Sequence, residues 1–316
     1  MKTDESSPAP LGLNISAVER ETGLSKDLLR VWERRYGFPE PLRDSAGQRV
    51  YSSEQLNKLR LVRRLMSAGL RPGRLLGMSI EALQVLLEES LPPRGAADVD
   101  PGQRNQPVIE ESLQLLKNHR GLELRSLFQQ TMVRDGLFRF LTDVGVPLTV
   151  QVGESWLRGE IQVFEEHLFT EQFTAALRGA MPQGGPGGRP RVLLTSLPGE
   201  PHGLGLLMAE AALRLERAET TSLGPQTPVD DVVAASQAHR SDIVALSFSQ
   251  NFPSGALADA ISELRLQLPE SVALWCGGAG VARLRRLPPQ TTRVGALEEI
   301  AGQLTAWRAA HAEPGA

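Results

Sequence analysis

Residues 190 to 310 alternate short apolar runs with segments of helical periodicity, and this alternation constrains the fold more than any other feature of the sequence. The five runs are RVLLTSL (191–197), ETTSL (219–223), DIVALSF (242–248), VALWC (272–276) and TTRVG (291–295), and a last helical pattern spans 296–310. Short crossovers of this kind join parallel strands through helices. We therefore predict a doubly wound parallel five-stranded sheet.

Two stretches with the composition of linkers divide the chain into three predicted domains. They are SLPPRGAADVDPGQRNQP at 90–107 and MPQGGPGGRP at 181–190. The predicted domains are 12–89, 108–180 and 190–310. The middle domain carries apolar residues at helical spacing, which predicts a bundle of about four helices.

The composition excludes several classes of protein. The single cysteine, Cys276, rules out an internal disulfide and a multi-cysteine zinc site, and the five histidines show no zinc spacing. No apolar run is long enough to span a membrane, and the beginning of the chain, MKTDESSPAP, does not have the order of a signal peptide. We expect a cytoplasmic protein with no membrane partner, in which any metal arrives inside a cofactor.

Charge is distributed unevenly along the chain. Residues 1–80 hold 14 Lys and Arg against 9 Asp and Glu, and the other 236 residues hold 20 against 28. A basic module on an acidic body is suited to binding a polyanion through one end, although a solvated basic face has the same composition.

The loop PGEPHGLG at 198–205 lies between the first predicted strand and a helix, where open α/β sheets bind ligands. His202 is a good ligand for a transition metal, and Glu200 can fix its other nitrogen. Gly205 lets a large planar ligand approach the backbone. Taken alone, this pattern also describes an ordinary surface histidine.

Downstream spacing favours the ligand interpretation. From Gly205 to Ser247 there are 41 intervening residues, and from Ser249 to the pair Gly277–Gly278 there are 27. This pattern resembles the motif of cobalamin-binding domains, such as those of methionine synthase and methylmalonyl-CoA mutase. The resemblance implies a flavodoxin-like strand order of 2-1-3-4-5, with His202 as the lower axial ligand of cobalt. Ser247 and the two glycines would line the slot for the nucleotide tail. Ser249 replaces the leucine of the motif, so we expect looser packing around that tail.

The N-terminal domain has the pattern of a helix-turn-helix. A first helix at about 16–21 meets a turn at Gly23, and Ser25 can cap a second helix, SKDLLRVWERRYG. A hairpin, or wing, is predicted around Ala46–Gly47. The candidate DNA contacts are Ser25, Arg30, Arg34, Arg35, Tyr36, Arg43, Gln48, Arg49 and Tyr51.

The stretch VWERRYGFPEPLRDSAGQRVYSSEQLNKLRLVRRLMSAG resembles the winged helix-turn-helix domain of MerR-family transcription regulators. The WERRYG end of the second helix and the GxRxY of the wing carry this resemblance, and many relatives have His where Gln48 stands. MerR-type regulators bind double-stranded operator DNA as dimers. Because no long C-terminal heptad helix is present, other parts of the chain would have to form the homo-oligomer.

In the middle domain, Trp156 is followed by nine residues and then by Glu166–His167. This spacing is similar to that of the light-sensing cobalamin repressors of the CarH and LitR type, in which the three residues cap the adenosyl group of adenosylcobalamin. Some members carry a histidine directly after the tryptophan, which can ligate cobalt after illumination. Here that position is Leu157, so we do not expect a bis-histidine photoproduct through it.

The resemblance implies a transcriptional repressor, a dimer or tetramer in the dark, that binds adenosylcobalamin and releases DNA when light cleaves the Co–C bond. The alternative is a MerR-type regulator whose cobalamin-like domain is empty or senses another ligand without light. An enzymatic subunit would need a substrate-binding barrel or a partner chain, and no segment is long enough for a barrel of ~250 residues. The DNA-binding head also argues against an enzyme. We therefore predict that the protein is not an enzyme.

Overall fold

A computed structural model describes residues 13–44, 47–67, 69–90, 105–182 and 188–312. Most of the two predicted linkers lies outside these ranges. The chain forms two compact units. The first comprises Met1–Ala96 with Glu154–Val163, and the second comprises Ala97–Gly153 with Phe164–Ala316. The division into three domains stays a prediction from the sequence.

In the described part of residues 1–96, the first unit contains a small sheet and five helices. Its strands are β1 (Leu13–Asn14), β2 (Leu42–Arg43) and β3 (Arg49–Tyr51), antiparallel in the order β1-β3-β2. Its helices are α1 (Ile15–Thr22), α2 (Lys26–Tyr36), α3 (Ser53–Ser67), α4 (Pro72–Leu75) and α5 (Ile80–Ser90). Strands β2 and β3 form the predicted wing, although Ala46 at its tip lies outside the described residues.

Local chemistry sets the angle between α1 and α2. Gly23 ends α1 with a φ of 67°, which a residue without Cβ adopts at little cost. Ser25 then caps α2, because its hydroxyl accepts a hydrogen bond from the Leu28 amide at 3.2 Å. Leu29 and Trp32 bury the inner face of α2, which leaves its arginines outside. The predicted helix-turn-helix is confirmed.

Helices precede the large sheet in the second part of the chain. They are α6 (Gln106–Lys117), α7 (Gly121–Asp135), α8 (Leu137–Phe140), a π-helical turn (Leu141–Gly145), α9 (Val146–Arg158) and α10 (Val163–Ala180). Since α8, the π turn and α9 run on without a break, the four predicted helical segments are present. Phe128, Phe140, Phe169 and Phe173 pack ring against ring in the core.

The remaining strands form one parallel sheet. They are β4 (Arg191–Thr195), β5 (Glu219–Gly224), β6 (Ile243–Ser247), β7 (Ala273–Gly277) and β8 (Thr291–Val294), in the order β5-β4-β6-β7-β8. Helices α11 (Leu204–Leu215), α12 (Val229–Ala238), α13 (Ser254–Gln267), α14 (Ala279–Ala282) and α15 (Glu299–Ala310) complete the fold. The predicted order 2-1-3-4-5 is confirmed. Between β7 and β8, however, the helix is a single turn.

The π turn packs the helical region onto the sheet domain. At Gly145, a Cβ would lie 3.1 Å from a ring atom of Phe173 and 3.3 Å from the sulfur of Met208 on α11. Because α11 begins directly after the His202 loop, this contact anchors the helices beside the loop. Within the described ranges, no helix is long and apolar enough to cross a membrane.

Candidate functional site

His202 lies in the loop between β4 and α11, and Glu200 holds its ring. Nδ1 of His202 is 2.6 Å from Oε1 of Glu200, and the His202 amide donates to the same oxygen at 3.0 Å. The His202 side chain is half exposed, whereas Glu200 is 1% exposed. A carboxylate only accepts hydrogen bonds, so the ring donates through Nδ1 and keeps the lone pair of Nε2 for a ligand.

Three donors keep Glu200 ionised despite its burial. Burial by itself would raise the pKa of this carboxyl, but hydrogen bonds from the His202 ring, the His202 amide and the Ser249 amide together lower it. The Ser249 amide donates at 2.7 Å to the second carboxylate oxygen. The carboxylate therefore ties the loop after β4 to the residues after β6.

Ser249 stands where the motif has leucine, and it contacts His202. Its hydroxyl oxygen lies 3.2 Å from Nδ1 of the imidazole. The sequence predicted only looser packing at this position, whereas the structure places a polar neighbour beside the ring.

The other predicted residues of this site converge on the same edge of the sheet. Ser247 ends β6 and is paired in register with Gly277 at the end of β7. A Cβ at Gly205 would lie 3.0 Å from the Ser247 hydroxyl oxygen. His202, Gly205, Ser247 and Gly277 thus meet at the switch point between β4 and β6, where the strand order reverses.

The double glycine also has a structural reason. Gly278 has a φ of 89°, and a Cβ there would lie 2.3 Å from the Phe248 carbonyl oxygen. A Cβ at Gly277 would lie 2.9 Å from the carbonyl oxygen of Val294. Close backbone packing therefore requires glycine at both positions, and neither position adds a side chain to this edge of the sheet.

Within the described residues, no group of three or more His, Cys, Asp or Glu side chains could hold a metal ion. The donor set at this edge is one imidazole backed by a buried carboxylate. That set fits a metal that already has most of its ligands from a macrocycle, as in cobalamin.

Glu166 and His167 form a hydrogen-bonded pair on the first turn of α10. His167 Nδ1 is 2.7 Å from Glu166 Oε2, and the Thr170 hydroxyl donates to the other carboxylate oxygen at 3.0 Å. The His167 side chain is 71% exposed. The pair therefore presents an imidazole outward from the helix, supported by its neighbours.

Trp156 lies in the first unit, in the segment Glu154–Val163. Its half-buried side chain borders a small cavity together with Thr22 of α1 and Arg60 and Arg64 of α3. Gly159 ends α9 with a φ of 76°, and a Cβ there would lie 2.7 Å from a guanidinium nitrogen of Arg64. Glu166 and His167 belong to the second unit, so the three residues of the predicted cap fall in different units.

Helix α2 presents its predicted DNA contacts to solvent. The side chains of Arg30, Arg34, Arg35 and Tyr36 are all exposed. Arg30 pairs with Asp27 at 3.0 Å within the helix. The exposed arginines give the second helix of the helix-turn-helix a basic outer face, as entry into the major groove requires.

In the wing, the structure supports some predicted contacts and corrects one. Arg43 and Gln48 are exposed, and Arg43 donates to the Gly47 carbonyl at 2.8 Å. Arg49 binds both carboxylate oxygens of Glu33, at 2.8 and 3.3 Å, and so braces the wing against α2. Tyr51, in contrast, is 0% exposed and its hydroxyl is buried. The prediction that Tyr51 reaches the DNA backbone is therefore wrong, because its ring fills the core.

Two supporting residues were not among the sequence-based candidates. Thr170 lies four residues after Glu166, so helical spacing could have identified it as a partner. Glu33 and Arg49 are 16 residues apart in different elements, and no local pattern indicates their pairing.

Comparison with known proteins agrees with this architecture. The model of the MerR HTH family regulatory protein matches residues 13–90, and two B12-binding domain models match 108–178 and 190–294. The transcriptional repressor CarH of Myxococcus xanthus is 30% identical over 271 residues, covering 84% of this chain and 88% of that protein. CarA of the same organism is 30% identical over 239 residues, covering 75% of this chain and 76% of that protein.

Among solved structures, the monomethylamine corrinoid protein of Methanosarcina barkeri matches with a TM-score of 0.48 and 17% identity, over 64% of this chain and 99% of that one. The helix-turn-helix, the B12-binding domains and the extent of the match to CarH together establish the relationship. The chain belongs to the family of MerR-type transcriptional repressors with B12-binding domains that includes CarH and CarA.

Proposed function

We propose that this protein is a light-sensing transcriptional repressor that binds adenosylcobalamin, holds its operator as a homo-oligomer in the dark and releases it in the light. The observation that carries the proposal is the Glu200–His202 pair, which directs Nε2 of an exposed imidazole away from a buried carboxylate. An imidazole held in this way would be suited to ligate the cobalt of a cobalamin.

The residues around His202 have defined roles in this proposal. Gly205, Ser247, Ser249, Gly277 and Gly278 line the edge that receives the nucleotide tail. Gly205 and the double glycine keep side chains off that edge, and the Ser249 amide holds Glu200 in place. When bound, adenosylcobalamin supplies a Co–C bond that visible light can cleave.

Trp156, Glu166 and His167 cover the upper face of the cofactor in this proposal. The Glu166–His167 pair is already formed on α10 and has an accessible imidazole. Trp156 would supply the apolar contact to the adenosyl group. Since Leu157 carries no metal-binding atom, it cannot replace that group.

Loss of oligomerisation explains how light would weaken DNA binding. Each DNA-binding head contributes its own phosphate contacts through the arginines of α2 and the wing, and linked heads bind far more tightly than separate ones. Separation of the subunits would therefore release DNA even if the structure of each DNA-binding head stayed the same.

The proposal is tested with the full-length protein loaded with adenosylcobalamin in the dark. An absorbance spectrum and a size-exclusion profile are recorded before and after green light. We expect the spectrum of a bound alkyl cobalamin, its loss on illumination and a smaller particle afterwards. The variant His202→Ala removes the imidazole proposed to ligate cobalt, so it should bind the cofactor more weakly. The variant Glu263→Gln, at an exposed position on α13, is the matched control. Failure to take up the cofactor, with His202→Ala behaving as wild type, would instead support a regulator that senses another ligand.

A further inference from the structure

The loop between β5 and α12, residues 225–228, lies beside the His202 loop. Strands β4 and β5 are parallel neighbours, so the loops that follow them emerge at the same edge of the sheet. A Cβ at Gly203 would lie 4.0 Å from Cδ of Pro225, which is an ordinary van der Waals distance. Since β6 is the other neighbour of β4, the β5–α12 loop flanks the His202 loop on the side away from β6.

Ser196, the residue directly after β4, hydrogen-bonds to both loops. It is 0% exposed, and its hydroxyl donates to the Glu200 carbonyl at 2.7 Å and accepts from the Gln226 amide at 3.0 Å. The Ser196 carbonyl also accepts from the Thr227 amide at 2.9 Å. One buried residue thus fixes the β5–α12 loop relative to the loop that carries His202.

Thr195, the last residue of β4, holds the β5–α12 loop from the same side. It is 0% exposed, and its hydroxyl donates to the Gly224 carbonyl at 2.8 Å. The hydroxyl oxygens of Thr195 and Thr227 are 2.7 Å apart, so they share a second hydrogen bond. The loop is therefore preorganised, and a ligand that contacts it does not have to order it first.

The β5–α12 loop exposes one apolar ring and one amide. Pro225 and Gln226 are both exposed, and the loop sequence, PQTP, contains no charged side chain. A glutamine amide can donate and accept hydrogen bonds. This surface suits a neutral ligand that carries amide and apolar groups better than it suits an ion.

The width of a corrin ring connects this surface with His202. Neighbouring strands of a sheet are only about 4.8 Å apart, and a corrin is much wider than that. A corrin whose cobalt is bound by His202 would therefore extend over the loops that follow both neighbours of β4. The residues after β6 lie on one side and the β5–α12 loop lies on the other. The rim of a corrin carries amide side chains and methyl groups, to which Gln226 can hydrogen-bond and against which Pro225 can pack.

We propose that the β5–α12 loop is a second wall of the cofactor site, in which Pro225 packs against the corrin rim and Gln226 hydrogen-bonds to one of its amide side chains. Thr195 and Ser196 are positioning residues that act through the loop. This inference rests on the proposed function, because it takes cobalamin as the ligand of His202. It adds contacts from a strand that the cobalamin motif of the sequence does not include.

Absorbance titration of the full-length protein with adenosylcobalamin in the dark tests the contact of Gln226. Because Gln226 has a φ of 64°, Gln226→Gly removes the amide and allows the same backbone conformation. We expect roughly fivefold weaker binding, from the loss of one neutral hydrogen bond. The matched control is Gln290→Gly, which should bind as the wild type does. Gln290 is also exposed, with a φ of 59°, but it directly precedes β8 at the opposite edge of the sheet.

The same titration tests the positioning residues. Thr195→Val keeps the shape of the side chain and removes the hydroxyl, so it should bind adenosylcobalamin more weakly. Thr195→Ser keeps the hydroxyl and should bind it as the wild type does. Ser196→Ala removes the bridge between the two loops and should also weaken binding. The thermal unfolding temperature of each variant, measured without the cofactor, shows whether the variant is folded.

The outcomes separate this inference from the proposed function. If the wild type takes up adenosylcobalamin but folded Gln226→Gly binds it as tightly as Gln290→Gly does, the loop is not a wall of the site and the inference alone is overturned. If Thr195→Ser binds as weakly as Thr195→Val, the hydroxyl does not position the loop. Failure of the wild type to take up the cofactor would remove the proposed function, and this inference with it.

Discussion

At the scale of single residues, Glu200 determines how His202 presents its ring. The carboxylate is almost completely buried and accepts three hydrogen bonds, two of them from His202. Such a partner fixes both the tautomer and the orientation of an imidazole ligand. Glu200 can therefore affect cofactor binding through His202, without having to contact the cofactor itself.

We predict that Glu200→Gln weakens cobalamin binding by roughly 10- to 100-fold, because an amide orients the imidazole less firmly and raises its basicity less. Absorbance titration of the full-length protein with adenosylcobalamin in the dark measures this change. Glu263→Gln should bind as the wild type does. An unchanged affinity in Glu200→Gln would show that the carboxylate does not act through His202.

Substitutions of Tyr51 and Arg34 test which of these residues contacts DNA and which is buried in the core. Because the Tyr51 hydroxyl is buried and has no hydrogen-bond partner among the described residues, Tyr51→Phe should leave DNA affinity unchanged and alter the free energy of unfolding by less than about 1 kcal/mol. Arg34→Ala should weaken DNA binding and lower its salt dependence by about one ion. Binding to a DNA fragment selected by the dark protein from a random pool, measured at several salt concentrations, distinguishes the two. Weaker DNA binding by folded Tyr51→Phe would restore Tyr51 as a contact.

At the scale of elements, Asp242 joins the beginnings of neighbouring strands. Its Oδ2 accepts from the Arg191 backbone amide at 2.7 Å, and its side chain is also bound by the guanidinium groups of Arg189 and Arg191. Burial alone would raise the pKa of Asp242, but these hydrogen bonds lower it from 3.8 to about 2. The carboxylate thus connects the first residue of β4 to the residue before β6.

The shifted pKa of Asp242 predicts how stability depends on pH. Its folded pKa is below the unfolded value, so its contribution is fully present above pH 3.8 and is lost as the pH falls towards 2. By linkage this contribution is about 2 kcal/mol. Asp242→Asn should therefore unfold more easily in urea at pH 7, and the difference from wild type should shrink between pH 4 and pH 2. A difference that is constant across that range would contradict the role of the ionised carboxylate.

The sheet could be predicted because a local run of apolar residues indicates each strand. Each of the five strands begins and ends within two residues of its apolar run, and right-handed crossovers leave few possible strand orders. The convergence of His202, Ser247 and Gly277 follows from that order. The burial of Tyr51 and the pairing of Arg49 with Glu33 were not predictable, since tertiary packing determines both.

The surroundings of Trp156 at the candidate site could not be predicted from the sequence either. Its spacing from Glu166 is visible in the sequence, but no local pattern indicates that it borders the same small cavity as Arg60 and Arg64 of α3. Similarly, no local sequence pattern indicates the π turn that lies beside Met208. The spacing of residues along the chain identified the candidate site residues. Which side chains surround each of them depends on tertiary packing.

At the scale of the whole molecule, charge and assembly act together in the proposed function. The first 80 residues carry a net charge of +5 and the remaining 236 a net charge of −8, so the basic part coincides with the helix-turn-helix. A single head of this size makes a limited number of phosphate contacts. In the proposed function, strong repression would require several heads to bind DNA at once, so control of assembly would control repression.

The affinity of the full-length, adenosylcobalamin-loaded protein for its selected DNA, measured in darkness and again after green light, tests the central claim most directly. The account predicts tight binding in the dark, a loss of at least about tenfold after illumination, and no effect of light on the cofactor-free protein or on His202→Ala. Equal affinity in darkness and after illumination, with the cofactor shown to be bound, would contradict it.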